Sequence, residues 1–132
     1  MKKVLIVLGV IILVLGAAWG LFMLRFDQLR VYLVTEFPRV TNVDMTQVAD
    51  GVYNGKAGDF VCTVDLDVTV KDQKIAGVKI NDQMCGGPQY DAKDMTNRIV
   101  AAQSPKTDAV SGATGSSKVI MIAVYDALTK KK

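Results

Sequence analysis

From Val4 to Leu24 the chain carries no charge and is built mainly of Val, Ile, Leu, Gly and Ala. At about 1.5 Å of helical rise per residue, some 20 such residues cross the hydrocarbon core of a bilayer. Residues 1–24 are therefore expected to form an N-terminal transmembrane helix that anchors the protein. The apolar centre of a secretory leader is shorter, about 7–15 residues. Gly16-Ala17-Ala18 is a weak cleavage site, so a cleaved leader stays as the alternative. Lys2 and Lys3 lie on one side of the stretch, and Arg25, Arg30 and Arg39 on the other, offset by Asp27 and Glu36. The positive-inside rule is close to a tie on these counts. The very short head before the span favours a cytoplasmic N-terminus, with the rest of the chain outside.

Residues 25–47 read as a juxtamembrane helix and connector. Phe26, Leu29, Val31, Leu33 and Val34 give Arg25–Glu36 a partly apolar face, suited to a membrane surface or a neighbouring subunit. Phe37-Pro38 ends the helix, because the residue before a proline avoids the α region. A short helical turn is expected at Asp44–Val48.

The soluble domain is assigned to residues 48–132. Val52–Lys56 reads as a short strand and turn. Even positions from Phe60 through Cys62, Val64, Leu66 and Val68 to Val70 are apolar, alternating with Thr63, Asp65, Asp67 and Thr69. That alternation specifies a half-buried antiparallel strand. Lys71-Asp72-Gln73-Lys74 turns the chain into a return strand, Ile75–Asn81, with Ala76, Val78 and Ile80 expected to face inward. Asp91–Gln103 reads as a helix with Asp91 as its cap and Met95, Ile99 and Val100 as its buried stripe. Ser104-Pro105 stops it. A last helix follows from Lys118, capped by Ser116 or Ser117, with Val119, Ile122, Ala123, Tyr125 and Ala127 against the sheet. The fold class is α+β, a small antiparallel sheet packed with helices behind one membrane-spanning helix.

The net charge of +3 is mild and scattered apart from Lys130-Lys131-Lys132, which reads as a solvated end. No aromatic-interleaved basic stripe is present, so no nucleic-acid partner is expected. The chain has no histidine. Nucleophile–histidine pairs are therefore excluded, and the two cysteines cannot complete a four-ligand zinc site. No catalytic residue and no metal ligand is assigned. Outside the membrane, Cys62 and Cys85 can form a disulfide; two buried thiols are the alternative. If even positions face each other across the hairpin, Cys62 lies opposite Met84 and Cys85 points away, so the pairing stays open.

The segment Asp108–Ser117 concentrates small and hydroxyl residues immediately before the last helix. Gly112, Ala113 and Gly115 let backbone approach a ligand closely. Unpaired N–H groups and the positive dipole end at a helix start make a seat for phosphate. Thr114 supplies a hydroxyl at that place.

These residues carry a specific resemblance. Asp108 followed by Ser111-Gly112-Ala113-Thr114 is similar to the flavin-attachment motif of the FMN-binding domain family. The domain occurs in the C subunit of the sodium-pumping NADH:quinone reductase and the G subunit of the Rnf complex. Asp50–Gly55 resembles the family's opening turn, Asp67–Ile75 its first hairpin and Ile99–Ser104 the helix before the motif. The likeness thus runs from Val48 to Leu128. It implies FMN joined through its phosphate to the Thr114 hydroxyl oxygen, installed from FAD by a flavin transferase that uses a divalent metal. Asp108 and Ser111–Ala113 would be what the transferase recognises, and the backbone of Gly112, Ala113, Gly115, Ser116 and Ser117 would hold the phosphate. The family's Glu-Thr-Pro-Gly loop is replaced by Cys85-Gly86-Gly87-Pro88-Gln89-Tyr90. Met84, Tyr90 and Phe60 are the candidates to pack on the flavin ring.

The function implied is electron relay by a single-pass membrane flavoprotein whose domain lies outside the cytoplasm. It would act as a subunit or partner of a membrane redox complex, with no small substrate of its own. The alternative is an accessory or assembly subunit of a membrane complex that carries no flavin.

Overall fold

The structure, a computed structural model, describes residues 1–130. Helix α1 (Lys2–Glu36) runs without a break through the apolar stretch and the juxtamembrane segment. Among the described residues it is the helix long and apolar enough to cross a membrane. Its lower part is exposed on all sides, with Leu13 72% and Trp19 65% accessible. Its upper end is docked. Leu29, Tyr32 and Leu33, with Phe37 just beyond, pack on the core, and the Gly58 N–H donates to Tyr32 Oη at 3.1 Å. A 3₁₀ turn at Phe37–Arg39 ends the helix at Pro38, and a second turn, Met45–Gln47, is capped by the Asp44 side chain.

Three antiparallel strands follow, β1 (Gly51–Asp59), β2 (Cys62–Lys71) and β3 (Lys74–Cys85), in the spatial order β1-β2-β3. β1 is longer than the strand expected at Val52–Lys56. β2 buries Cys62, Val64, Leu66, Val68 and Val70, as the alternation predicts. Phe60 does not join that face. It sits in the tight β1–β2 turn and is 65% exposed, because Asp59 already pairs with Cys62 and no strand residue remains between them.

The return strand follows the even-to-even phase only in its middle. Leu66 pairs with Ile80 and Val68 with Val78, but register shifts follow on both sides. Between Thr69 and Val70 the shift leaves Ala76 unpaired, so Ile75 turns inward and Ala76 is exposed. Between Asp65 and Leu66 it leaves Asn81 unpaired, which sets Cys62 opposite Cys85 and Thr63 opposite Met84. A bulge inserts one residue and inverts the side-chain phase beyond it. Cys62 and Cys85 are joined as a disulfide.

Helix α2 (Asp94–Ala102) begins later than its pattern predicts. Asp91 does not cap it: its backbone is extended and its N–H returns to the Pro88 carbonyl at 3.3 Å, closing a 3₁₀ turn at Pro88–Tyr90. Met95 and Ile99 are buried as expected. The helix ends at Gln103 (φ 50°), whose side-chain amide accepts from the Ile75 N–H at 2.8 Å and donates to the Ile75 carbonyl at 2.9 Å. This amide covers part of the free edge of β3.

Helix α3 (Thr114–Thr129) starts before Ser116 and Ser117. Neither serine caps it, and both lie buried within its first turn. α3 crosses β1 and β2, while α2 lies beside β3. Val119, Ile120 and Val124 share one fully buried core with Leu66 and Val68. The crossing depends on Gly55 of β1. A Cβ there would strike the Ala123 carbonyl oxygen and come within 2.8 Å of Ala127 Cβ.

Candidate functional site

The Asp108–Ser117 segment folds as its residue types require. Val110–Ala113 is a β-turn closed by the Ala113 N–H to the Val110 carbonyl at 3.0 Å. Gly112 occupies its third position with φ +79°, a conformation that a type II turn demands and that glycine adopts at least cost. The turn is held from two sides. Ser117 is fully buried, and its Oγ accepts from the Val110 N–H at 3.0 Å and donates to the Ala113 carbonyl at 2.7 Å. Arg98 of α2 donates through Nη1 to the carbonyls of Asp108 at 3.2 Å and Ala109 at 3.1 Å.

Thr114 is the first residue of α3 and is exposed. The first helical N–H of this turn with an intrahelical acceptor is that of Ser117, bonded to Ala113 O at 2.9 Å. The N–H groups of Thr114, Gly115 and Ser116 precede it and have no intrahelical acceptor. They lie at the helix start that Thr114 opens, the positive end of the α3 dipole.

A cavity of about 410 Å³ opens beside this turn, within the size range of small-molecule sites, about 300–1,000 Å³. One wall is Gly112–Ser116. The other is formed by Phe26 and Leu29 of α1, Val61, the Cys62–Cys85 disulfide, Gly86 and Tyr90. Among the described residues, the lining contains no carboxylate, lysine or arginine. The far wall is largely apolar and suits the face of a flat aromatic ring. The near wall offers N–H donors and a hydroxyl. The volume and this division of polar and apolar lining are compatible with a group of FMN's size and chemistry.

The candidates from sequence are thus distributed unevenly. Gly112, Ala113, Thr114, Gly115, Ser116 and Tyr90 line one cavity. Ser117 sits behind it, its hydroxyl committed to the turn. Ser111 and Asp108 are exposed on the loop outside the lining. Met84 does not reach the cavity: it is 54% exposed and pairs across to Thr63, the bulge at Asn81 having brought Cys85 to the cavity in its place. Phe60, in the hairpin turn, is also absent from the lining. Phe26 and Leu29 line the cavity, where their apolar face alone suggests a membrane surface or a neighbouring subunit. Their three-residue spacing on one helix face was the available signal. Arg98 was likewise missed.

Comparison with known proteins bears on this arrangement. A family model described as FMN-binding domain matches residues 59–129. This covers more than half of the chain, from the β1–β2 turn to the end of α3. The chain belongs to the FMN-binding domain family. Membership of this family implies that the domain binds FMN. The crystal structure of the CPE2226 protein from Clostridium perfringens is similar at 22% identity, covering 62% of this chain and 87% of that one with a TM-score of 0.49. No curated protein matches the chain.

Proposed function

We propose that this protein is a membrane-anchored electron carrier in which FMN is bonded through its phosphate to Thr114 Oγ1. The observation that carries the reading is the position of that hydroxyl. It is exposed, at the first residue of α3, at the edge of the cavity and among N–H groups without helical partners. In the attachment reaction the threonine oxygen displaces AMP from FAD, and the hydroxyl proton leaves with the AMP or to solvent. The phosphodiester that results keeps one negative charge, which the start of α3 stabilises.

When bound, the flavin supplies the redox chemistry. The chain's own residues hold the phosphate end and screen the ring behind Tyr90, Phe26 and Leu29. Phe26 and Leu29 lie two and five residues beyond Leu24, within about one and a half helical turns, so the cavity stands at the level of the membrane surface if residues 1–24 span the bilayer. That height suits exchange with a membrane-embedded redox partner, and a covalent link suits a domain outside the cytoplasm, where released FMN would be lost.

The test is co-expression with a flavin transferase, followed by intact-mass measurement of the denatured chain. A gain equal to FMN less one water is expected, with flavin colour that stays with the unfolded protein. Thr114→Val is expected to abolish the gain completely. An unchanged mass in the parent chain, or a gain that survives in Thr114→Val, refutes the linkage and returns the accessory-subunit reading.

A further inference from the structure

We infer that the Cys62–Cys85 disulfide is a second redox centre, which takes electrons from the flavin held on Thr114. This rests on the flavin reading above. Both cysteines line the same cavity as Thr114 and Tyr90. Cys62 Sγ lies 3.9 Å from Ser116 Oγ, and Ser116 is two residues from Thr114 in the same helical turn. A disulfide sulfur has no proton, so the serine hydroxyl is the donor in that contact. Any ring that enters this cavity from a phosphate on Thr114 therefore meets the disulfide within the same small volume.

The placement has a definite structural origin. The bulge at Asn81 rotates the end of β3 by one residue, replacing Met84 by Cys85 on the cavity face directly across from Cys62. The two residues are 4% and 6% exposed. Bulk thiols and reductants thus reach the bond poorly, whereas the cavity side is open to a tethered group. A staple buried away from the cavity would join the strands equally well. This one forms part of the cofactor wall.

The step balances without a further reagent. The reduced flavin gives up two electrons and two protons and returns to its oxidised form. The S–S bond breaks, and each sulfur becomes a thiol. Ser116 Oγ–H is placed to donate to the Cys62 sulfur as charge develops on it. Thiol–disulfide chemistry passes through thiolate character, which such a donor favours.

The experiment uses the full chain in detergent, loaded with FMN and checked by intact mass. It is photoreduced anaerobically in the presence of EDTA, quenched with iodoacetamide under denaturing conditions, and weighed again. The expected result is that bleaching of the flavin is followed by two added carbamidomethyl groups. Anaerobic titration should also consume two electron equivalents beyond those that bleach the flavin. In Thr114→Val, which keeps both cysteines, illumination with an equal concentration of free FMN should label the thiols about tenfold more slowly or worse, since the tether's effective concentration is lost. A bleached flavin with both cysteines still unlabelled overturns the inference and leaves the flavin reading standing. So does equal labelling in Thr114→Val. Absence of the FMN mass at the first weighing overturns both.

Discussion

The two walls of the cavity are built by different means. The wall at Gly112–Ser116 is one continuous segment, shaped by a glycine that must turn, a helix that must start and a serine that ties the two together. The opposite wall draws on α1, the β1–β2 turn, the end of β3 and the loop to Tyr90. Local chemistry decides the first wall. The second exists only because the sheet, α1 and α3 are in register with one another. A change in overall packing should therefore damage both walls, whereas a change within one wall should leave the other intact.

The largest effect is expected at Gly55→Val, where the walls share a support. Its side chain would occupy the space of the Ala123 carbonyl and Ala127 Cβ and push α3 off β1. Overpacking in a close-packed interior costs about 1–3 kcal/mol and more when backbone must move, so a loss at or above the top of that range is expected in thermal unfolding followed by circular dichroism. Flavin loading should fall with it, because the helix start moves relative to α1 and β3. Normal stability with full loading would show that the walls do not depend on this contact.

The same contrast explains what could be read from sequence. The alternation in β2, the hairpin turn, the buried stripe of α2 and the helix after Thr114 are short-range patterns, and the structure has them. Phe60 belonged to the alternation by residue type, but the turn claimed it. Ala76 gave way to Ile75, and Met84 to Cys85, for a different reason. A bulge inverts phase, and nothing in the side-chain types at Asn81 or Ala76 announces one. The expected caps differ because the Asp91 N–H closes the 3₁₀ turn at Pro88–Tyr90, and α3 starts at Thr114, which puts Ser116 inside its first turn. Phe26 and Leu29 were legible as an apolar face, but what the face meets is decided by the docking of α1. The partners of Thr114 were legible and those of Tyr90 were not.

A smaller effect, confined to the first wall, is expected for Ser117→Ala. The substitution leaves the Val110 N–H without its acceptor and frees the Ala113 carbonyl of one donor. An unsatisfied buried polar group costs about 1–3 kcal/mol. Denaturant unfolding should show a loss in that range, and the transferase should load the variant more slowly because the turn before Thr114 is no longer pinned. The Cys62–Cys85 bond should form as before. Phe26→Ala addresses the second wall alone. Phe26 is 44% exposed, so its stability cost should stay within about 0.5 kcal/mol. The gain in mass on flavin loading should be unchanged, while iodide quenching of the bound flavin rises. Reduced loading in Phe26→Ala, or altered quenching without slower loading in Ser117→Ala, would show that the walls are not independent.

The smallest effect belongs to the outer face of the sheet, which touches neither wall. Asp65 on β2 is bonded to Lys56 Nζ at 2.6 Å and accepts from Asn54 Nδ2 at 2.7 Å. The Lys56 hydrogen bond first, and then Asn54, hold its carboxyl below the ordinary 3.8. A carboxylate whose folded value is depressed binds fewer protons in the native state than in the unfolded one. It thus adds stability above its unfolded value, and that stability is lost as pH falls through the folded value. The group is partly open to solvent, which screens the contribution. Asp65→Asn should lower the midpoint of thermal unfolding slightly near neutral pH, and the gap from the parent chain should close in acid below the carboxylate range. Flavin loading should be the same in both chains at every pH where both are folded. A gap that persists in acid would mean that Asp65 acts through packing and not through its charge. Altered loading would mean that the outer face of the sheet is coupled to the cavity through the β2 register, which would remove the separation between local and assembled walls.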